Sequence, residues 1–339
     1  MNKNNFDGVR IGLALIVVFA HISNLTLLPD FRIFQDIFDS NFAVKGFFCI
    51  SGFLVTLSYQ GSKTLPEYFG KRLHRIYPAY FVAVLLCIFI GVFTTALNSL
   101  EFIKSPETLK YIISNLVFLN FIQPTLPKVF LTNPFHTLNG ALWTIKIELM
   151  LYICVPILVY CFKKFGAIKA VTSIYILSLF WVYYFLHVYS GSMGEELARQ
   201  FPGQLSYFVL GSFCAFNEKS RVCIKPIALM SVPILFTSNN LIFKLLLDPI
   251  AYCSIVLYLS TGAYRDLNLG RFGDISYGIY LYHFPIIQLL IYCRLYEFNP
   301  WVGLLCTLII TIALAMLSWH YIEKIFLKRT SHYVQATKK

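Results

Sequence analysis

Charged residues are scarce in this sequence: they make up 13% of its 339 residues, about half the share that is usual in a soluble domain. The shortage runs along the whole length, while 58% of the residues are apolar and the mean hydropathy is +0.67. This composition excludes a soluble globular enzyme. A bilayer-spanning helix needs about 20 apolar residues, so the length accommodates about ten spans with short loops. We therefore predict an all-α fold, a polytopic membrane helix bundle.

Motifs for several other kinds of chemistry are missing. The nine cysteines are scattered, mostly inside apolar runs, with no C-x-x-C pair and no Cys/His spacing suited to zinc. The sequence has no Gly-rich phosphate loop, G-x-S-x-G elbow, H-E-x-x-H motif or EF-hand loop. We therefore predict no metal and no permanently bound cofactor. Neither an internal repeat nor a second domain is evident, so residues 1–339 are expected to form a single integral-membrane domain without a soluble extracytoplasmic domain.

Ten apolar runs have the length expected of membrane spans. They lie near 9–28, 41–60, 76–97, 141–162, 166–187, 203–217, 222–238, 243–262, 273–296 and 301–326. An eleventh run, at 109–123, is about 15 residues long and contains two asparagines, which favours a re-entrant or interfacial segment. With the N-terminus inside, this topology places 19 of the 28 Lys and Arg residues on the cytoplasmic side and six outside. Basic loops favour the cytoplasmic side, so both termini are predicted there. We interpret the net charge of +12 as a property of these loops and of their contact with anionic lipid, rather than as a sign of nucleic-acid binding.

The first span carries three ionisable residues on one face. Asp7, Arg10, Ala14, Val17 and His21 are spaced by 3, 4, 3 and 4 residues, which places them on one helical stripe. A rise of about 1.5 Å per residue puts His21 about 16 Å beyond Arg10, near the middle of the bilayer. Buried polar residues are costly in a membrane and are therefore candidates for function. A neutral imidazole at this depth can take a proton from a hydroxyl, or it can simply hydrogen-bond a neighbouring helix, and the span alone leaves both open.

Two later spans also contain ionisable residues. His283 lies about ten residues into the ninth span, where it is either functional or a packing histidine beside a proline kink. Glu148 lies about eight residues, or 12 Å, inside the outer end of the fourth span. Lys146 at i−2 points elsewhere on the helix, so Glu148 needs another partner. Arg10 and His21 are the candidates for that partner.

A basic pair opens the third span from the cytoplasmic side. Arg72 and Arg75 are at positions i and i+3, so their guanidinium groups share a helix face and are able to clamp a phosphate. Ordinary anchoring by positive charge at the cytoplasmic surface explains the same pair.

Taken together, six stretches resemble the acyltransferase 3 family of integral-membrane O-acyltransferases. The stretches occur in order along essentially the whole chain: Phe6-Asp7-Gly8-Val9-Arg10 with His21, then 46–54 (GFFCISGFL), 71–78 (KRLHRIYP), 142–148 (LWTIKIE), 275–285 (ISYGIYLYHFP) and 321–324 (YIEK). Each stretch is weak evidence alone, but their ordered occurrence is specific. Lys146 departs from the pattern, because the family usually has a small polar residue there.

This resemblance implies transfer of an acyl group, most often acetyl, from cytoplasmic acyl-CoA to a carbohydrate hydroxyl. The acceptor is expected to be a lipid-linked O-antigen or another surface polysaccharide, modified at the bacterial cytoplasmic (inner) membrane. The resemblance also implies that His21 is catalytic and that Arg72 and Arg75 contact coenzyme A. No hydrolase-like extracytoplasmic domain follows the last span, so transfer is expected to finish within the membrane domain.

The remaining candidate residues complete a hypothetical site. Asp7, Arg10 and Glu148 are predicted to join His21 in catalysis, by orienting polar groups or steadying developing charge. Predicted substrate contacts come from three further residues, Trp143, Tyr280 and His283. The alternative function is a transporter or flippase in which buried His and Glu relay protons, although the sequence shows no paired broken spans. An inactive carbohydrate-binding relative is a third possibility, and the sequence does not indicate an oligomeric state.

Overall fold

The computed structural model describes residues 5–237, 241–261 and 273–327. In these residues the regular structure is helical, and the β-bridge between Thr95 and Val129 is isolated. Long apolar runs form helices because a lipid-buried backbone must satisfy its hydrogen bonds within its own segment. The all-α prediction is confirmed.

Most of the helices follow one another with short connections, and residues 117–142 form a longer one between α6 and α7. Their bounds are α1 Phe6–Thr26, α2 Arg32–Ile37, α3 Ser40–Gln60, α4 Leu65–Thr94, α5 Ser99–Lys104, α6 Pro106–Leu116, α7 Trp143–Phe165, α8 Ala167–Tyr183, α9 Gly194–Ala198, α10 Phe201–Phe216, α11 Ile224–Thr237, α12 Leu241–Thr261, α13 Ser276–Tyr292, α14 Leu295–Phe298, α15 Pro300–Ser318 and α16 Lys324–Phe326. A π-helical turn, Trp319–Glu323, joins α15 to α16.

Seven of these helical segments are long and apolar enough to cross a membrane. They are Phe6–Thr26, Ser40–Gln60, Leu65–Thr94, Gly140–Phe165, Ala167–Val188, Lys244–Thr261 and Pro300–Phe326. The other three predicted spans are present as α10, α11 and α13, which have 16, 14 and 17 residues and are shorter than a typical span. The prediction of a polytopic membrane helix bundle is confirmed, and the total of ten spans stays a prediction. The predicted spans near 222–238 and 243–262 end at positions outside the described residues, as do both chain termini.

The segment predicted at 109–123 is a short helix followed by a turn. α6 begins at Pro106, where the Ser105 hydroxyl caps it by accepting from the Glu107 N–H at 3.2 Å. Its 11 residues extend about 16 Å, too short for a span. The chain then turns through Phe118, whose φ is +63°, in the left-handed region.

The described residues form two compact units. The first contains 5–9, 41–69, 147–237 and 241–261, and the second contains 10–40, 70–146 and 273–327.

In the first unit, α3 and α10 cross at two glycines. A Cβ added to Gly52 would collide with the carbonyl oxygen of Phe208, and one added to Gly211 would collide with that of Cys49. The two backbones therefore approach as closely as only glycine permits, which is typical of helix packing in membranes.

In the second unit, α13 forms the centre. Its residues from Ser276 to Gln288 are all buried. Gly278 packs against α15, where an added Cβ would lie 2.8 Å from Ala315 Cα. The connection before α7 is also fastened to α13, since the Gln288 amide donates to the carbonyl oxygens of Phe135 and Thr137, both at 2.8 Å. Side chains on α13 are therefore held on several sides.

Candidate active site

Two histidines meet at the centre of the second unit. His21 Nδ1 on α1 lies 2.7 Å from His283 Nε2 on α13, at hydrogen-bond distance. The two rings are nearly parallel, with 6° between their planes and 5.0 Å between their centroids. The sequence predicted each histidine deep in its span, and the structure brings the two together.

The second ring nitrogen of His283 is also engaged. His283 Nδ1 lies 3.1 Å from the carbonyl oxygen of Ile279, one turn earlier on α13. The side chain of His283 is fully buried. Both nitrogens of His283 therefore have protein partners in this structure, and its predicted contact with substrate stays a prediction.

Aromatic and hydroxyl side chains surround the histidine pair. The ring of Phe284 meets His21 edge-on at 5.3 Å between centroids, and Tyr280 packs against His283 at 5.9 Å. The Tyr280 hydroxyl lies 2.7 Å from that of Thr144, near the start of α7. Thr144 follows Trp143, which begins α7 and is half-buried. Both predicted aromatic substrate contacts therefore belong to the same unit as the histidine pair, and their contact with substrate stays a prediction.

A buried ion-pair quartet, consisting of Arg10, Arg75, Asp274 and Glu323, lies in the same unit. Asp274 Oδ2 accepts from both arginines, at 2.5 Å from Arg75 Nη2, while Arg75 Nη1 lies 2.5 Å from Glu323 Oε2. The side chains of both acids are 1% exposed, that of Arg75 6% and that of Arg10 13%. Two cations and two anions balance, so the quartet carries no net charge into the bundle.

Hydroxyl groups donate further hydrogen bonds to the two acids of the quartet. Ser276 donates to Asp274 Oδ1 at 2.6 Å, and Ser318 donates to Glu323 Oε1 at 3.0 Å. Tyr282 donates in turn to Ser318 at 2.9 Å. The quartet and its hydroxyl donors thus connect α1, α4, α15 and the start of α13.

Sequence reasoning did not identify the two acids of the quartet as site residues. Asp274 lies two residues before α13, and Glu323 ends the π-helical turn after α15. A π-helical turn inside a longer helix often marks a functional position. The usable signal was charge balance, because Arg10 and Arg75 near the ends of two spans require acidic partners.

The predicted donor-binding pair shows two different environments. Arg75 is buried in the quartet, whereas Arg72, one turn earlier on α4, is half-buried. Arg75 contacts two carboxylates and the ring of Tyr277, so its surroundings differ from the open clamp that the spacing indicated. A contact with coenzyme A stays a prediction for both arginines.

Glu148 has other partners than those considered from the sequence. Its Oε1 accepts from Ser51 on α3 at 3.0 Å and from the Tyr152 hydroxyl one turn later on α7. Asp7 also belongs to the first unit, with Glu148. Arg10 and His21, which the sequence offered as partners of Glu148, belong to the second unit, where Arg10 is hydrogen-bonded to Asp274 and His21 to His283. Catalytic roles for Asp7 and Glu148 stay predictions.

Lys146, the departure from the expected pattern, packs against an aromatic ring. Its Nζ lies 4.6 Å from the ring centroid of Phe121, in the connection that follows α6. This cation–π distance is favourable.

The fold and the site together define the class of protein: it is an all-helical polytopic membrane protein with a histidine pair in its interior. Residues 3–320 match the profile of the acyltransferase domain of the acyltransferase 3 family, and the chain belongs to this family. It is therefore a membrane O-acyltransferase.

Three relatives extend this finding. The chain is 29% identical to the O-acetyl transferase of Shigella phage Sf6, over 98% of both chains. It is 28% identical to nodulation protein 10 of Rhizobium leguminosarum bv. viciae, over 97% of this chain and 95% of that one. It is 26% identical to the peptidoglycan O-acetyltransferase OatA of Listeria monocytogenes, over 94% of this chain and 55% of that protein. No solved structure matches the chain significantly.

Proposed function

We propose that this enzyme transfers an acetyl group from cytoplasmic acetyl-CoA to a hydroxyl of a lipid-linked surface glycan, such as an O-antigen precursor. The observation that carries the proposal is the histidine pair of the second unit, in which His21 Nδ1 lies 2.7 Å from His283 Nε2. The family assignment supplies the reaction type. Two relatives are named as O-acetyl transferases, one of them acting on peptidoglycan, which supports acetyl as the group and carbohydrate as the acceptor.

His21 is the general base in this proposal. It takes the proton of the sugar hydroxyl while the hydroxyl oxygen attacks the thioester carbonyl carbon. The tetrahedral intermediate then collapses as the carbon–sulfur bond breaks. The proton held by His21 passes to the departing thiolate, which leaves as free coenzyme A, and the imidazole is neutral again. No other reactant is required.

The donor is held by the cytoplasmic end of α4. Arg72 is half-buried and one turn from the quartet, so its guanidinium group is suited to a phosphate of coenzyme A. Arg75 follows one turn later on α4, where its two carboxylate contacts fix its position. Trp143 and Tyr280, in the same unit as the histidine pair, provide aromatic surface for the sugar.

The test is acetyl transfer by purified protein in lipid nanodiscs, with isotope-labelled acetyl-CoA and lipid-linked glycan. The His21→Gln variant should fold and bind acetyl-CoA but lose transfer by about 10²- to 10⁴-fold, because glutamine hydrogen-bonds yet does not accept a proton at neutral pH. Near-normal transfer by His21→Gln would contradict the assignment of the base. Absence of acetyl-CoA binding by the wild type would instead favour the transporter alternative.

A further inference from the structure

We propose that His283 is a positioning residue, which holds His21 in the one tautomer that can act as a base. This inference rests on the proposed function, in which His21 takes the proton of the acceptor hydroxyl. It assigns the hydrogen of His21 to Nδ1 and the lone pair to Nε2. Nε2 is then the atom that removes the proton.

A backbone carbonyl group on α13 determines the tautomer of His283. The carbonyl oxygen of Ile279 can only accept a hydrogen bond, so His283 Nδ1, at 3.1 Å, must carry a hydrogen. A neutral imidazole carries one N–H, which leaves the lone pair of His283 on Nε2. His283 is fully buried, and a charged imidazole there would cost desolvation energy that the neutral form avoids.

The contact between the two rings then determines the tautomer of His21. His283 Nε2 is an acceptor and lies 2.7 Å from His21 Nδ1, so His21 Nδ1 must be the donor. Neutral His21 then has its lone pair on Nε2. One backbone carbonyl on α13 therefore determines, through two imidazole rings, which nitrogen of His21 is basic.

The same contact becomes stronger as the reaction proceeds. When His21 takes a proton on Nε2 it becomes an imidazolium, and its Nδ1–H then donates a charge-assisted hydrogen bond to His283. A carboxylate in the place of His283 would do the same but would require a buried negative charge in the resting enzyme. The neutral partner avoids that cost inside the membrane domain.

Packing restricts the alternatives to this arrangement. Phe284 lies against the edge of the His21 ring, and Gly140 lies against Phe284, where an added Cβ would be 2.8 Å from the phenyl ring. His283 is covered by Tyr280 on the same helix. The rings of both histidines are therefore confined between α1, α13 and the residues that precede α7.

The kinetic test compares three variants in the nanodisc transfer assay. His283→Leu keeps the volume but removes the acceptor, and kcat should fall by at least about 100-fold with the KM for acetyl-CoA changed less than about twofold. His283→Gln places an amide oxygen near the former Nε2 and should recover at least about tenfold of that loss. Tyr296→Phe, which removes a buried hydrogen bond to Thr307 at 2.6 Å in the same unit, is the control and should retain kcat.

A second measurement reads the tautomer without any activity. The chain has seven histidines, so ¹⁵N-histidine solid-state NMR in bilayers resolves His21 by difference from the His21→Gln spectrum. We expect protonated Nδ1 and unprotonated Nε2 in wild-type His21, and a mixture or the opposite tautomer in His283→Leu.

The two measurements separate the possible failures. An Nε2–H tautomer of His21 in the wild type would overturn the inference even if His21 proved to be the base. Folded His283→Leu with normal kcat, or His283→Gln no faster than His283→Leu, would overturn it as well. Normal transfer by His21→Gln would contradict the proposed function instead, whatever the tautomer.

Discussion

Removing the shared acid of the ion-pair quartet should destabilise the protein strongly. Asp274 accepts from Arg10, Arg75 and Ser276, so Asp274→Asn takes away the negative charge that both guanidinium groups face. Breaking one buried ion pair by removing a partner costs about 3 to 5 kcal/mol, because the remaining charge stays buried. Arg75 keeps Glu323, whereas Arg10 is 13% exposed and recovers some hydration. We therefore expect a loss of about 3 to 5 kcal/mol rather than twice that.

The assay is equilibrium unfolding in mixed micelles, with the denaturing detergent titrated against wild type and variant. The chain supplies a matched control in Glu196, whose carboxylate lies 3.7 Å from Arg199 with 60% and 49% of the two side chains exposed. An exposed pair of this kind contributes less than about 1 kcal/mol, so Glu196→Gln should be nearly neutral.

Two results would contradict a stabilising role for the ion-pair quartet. If Asp274→Asn were no less stable than Glu196→Gln, the quartet would not contribute to stability as a buried network does. A double substitution, Asp274→Asn with Arg10→Gln, should be less destabilising than the sum of the two single changes, because it removes the cation together with its partner. Strict additivity would show that Arg10 and Asp274 do not interact.

Three further predictions concern packing, donor binding and topology. Gly211→Ala should destabilise the first unit by at least about 2 kcal/mol in the same unfolding assay, because its Cβ would collide with the Cys49 carbonyl. Gly12→Ala is the control and should be neutral, because an added Cβ there meets open space. Equal effects of the two substitutions would contradict the close crossing of α3 and α10. Arg72→Ala should weaken acetyl-CoA binding by about tenfold or more, with stability retained, when the affinity is measured by calorimetry. The reason is that a charge-assisted contact contributes about 1.5 to 3 kcal/mol. Unchanged affinity would leave Arg72 as an anchor at the membrane surface. A reporter fused after Lys169 should give a cytoplasmic signal, on the charge bias of the loops, and an extracytoplasmic signal would invert the topology.

The sequence predicted those features of the fold that each segment of the chain determines by itself. Hydropathy identified the helical membrane class and located His21 and His283 deep in their spans, because both follow from apolar run length and helical rise. It did not predict their contact. The two histidines are 262 residues apart, and helical periodicity describes one helix without stating which helix it faces.

The partners of charged residues were harder still to predict. Glu148 appeared to require a cation, yet the structure supplies two hydroxyl donors, Ser51 and Tyr152. Hydroxyl groups are common in membrane helices and carry no charge. A carboxylate whose hydrogen bonds come from hydroxyl groups is therefore hard to recognise from the sequence. Asp274 was overlooked because it is the second residue of the predicted span 273–296, and an acidic residue at the end of a span is readily assigned to the membrane surface.

The helix at 106–116 shows a related limit. Its buried face is polar, with Thr108, Tyr111 and Asn115, while Leu109 and Ile113 are each 57% exposed. In a soluble protein this pattern would be reversed. Periodicity alone predicts that such a helix has two faces, but the side that faces protein depends on the surrounding solvent, which is lipid for a membrane enzyme.

The ion-pair quartet imposes an order on biosynthesis. Arg75 precedes Asp274 by 199 residues and Glu323 by 248, and Arg10 precedes Asp274 by 264. At about 5 to 20 residues per second, a ribosome needs about 10 to 40 s to reach Asp274 after completing Arg75. For that interval the nascent chain carries both arginines into the membrane before either carboxylate exists. A chain that stops short of residue 274 would retain both arginines and lack both of the acids that neutralise them.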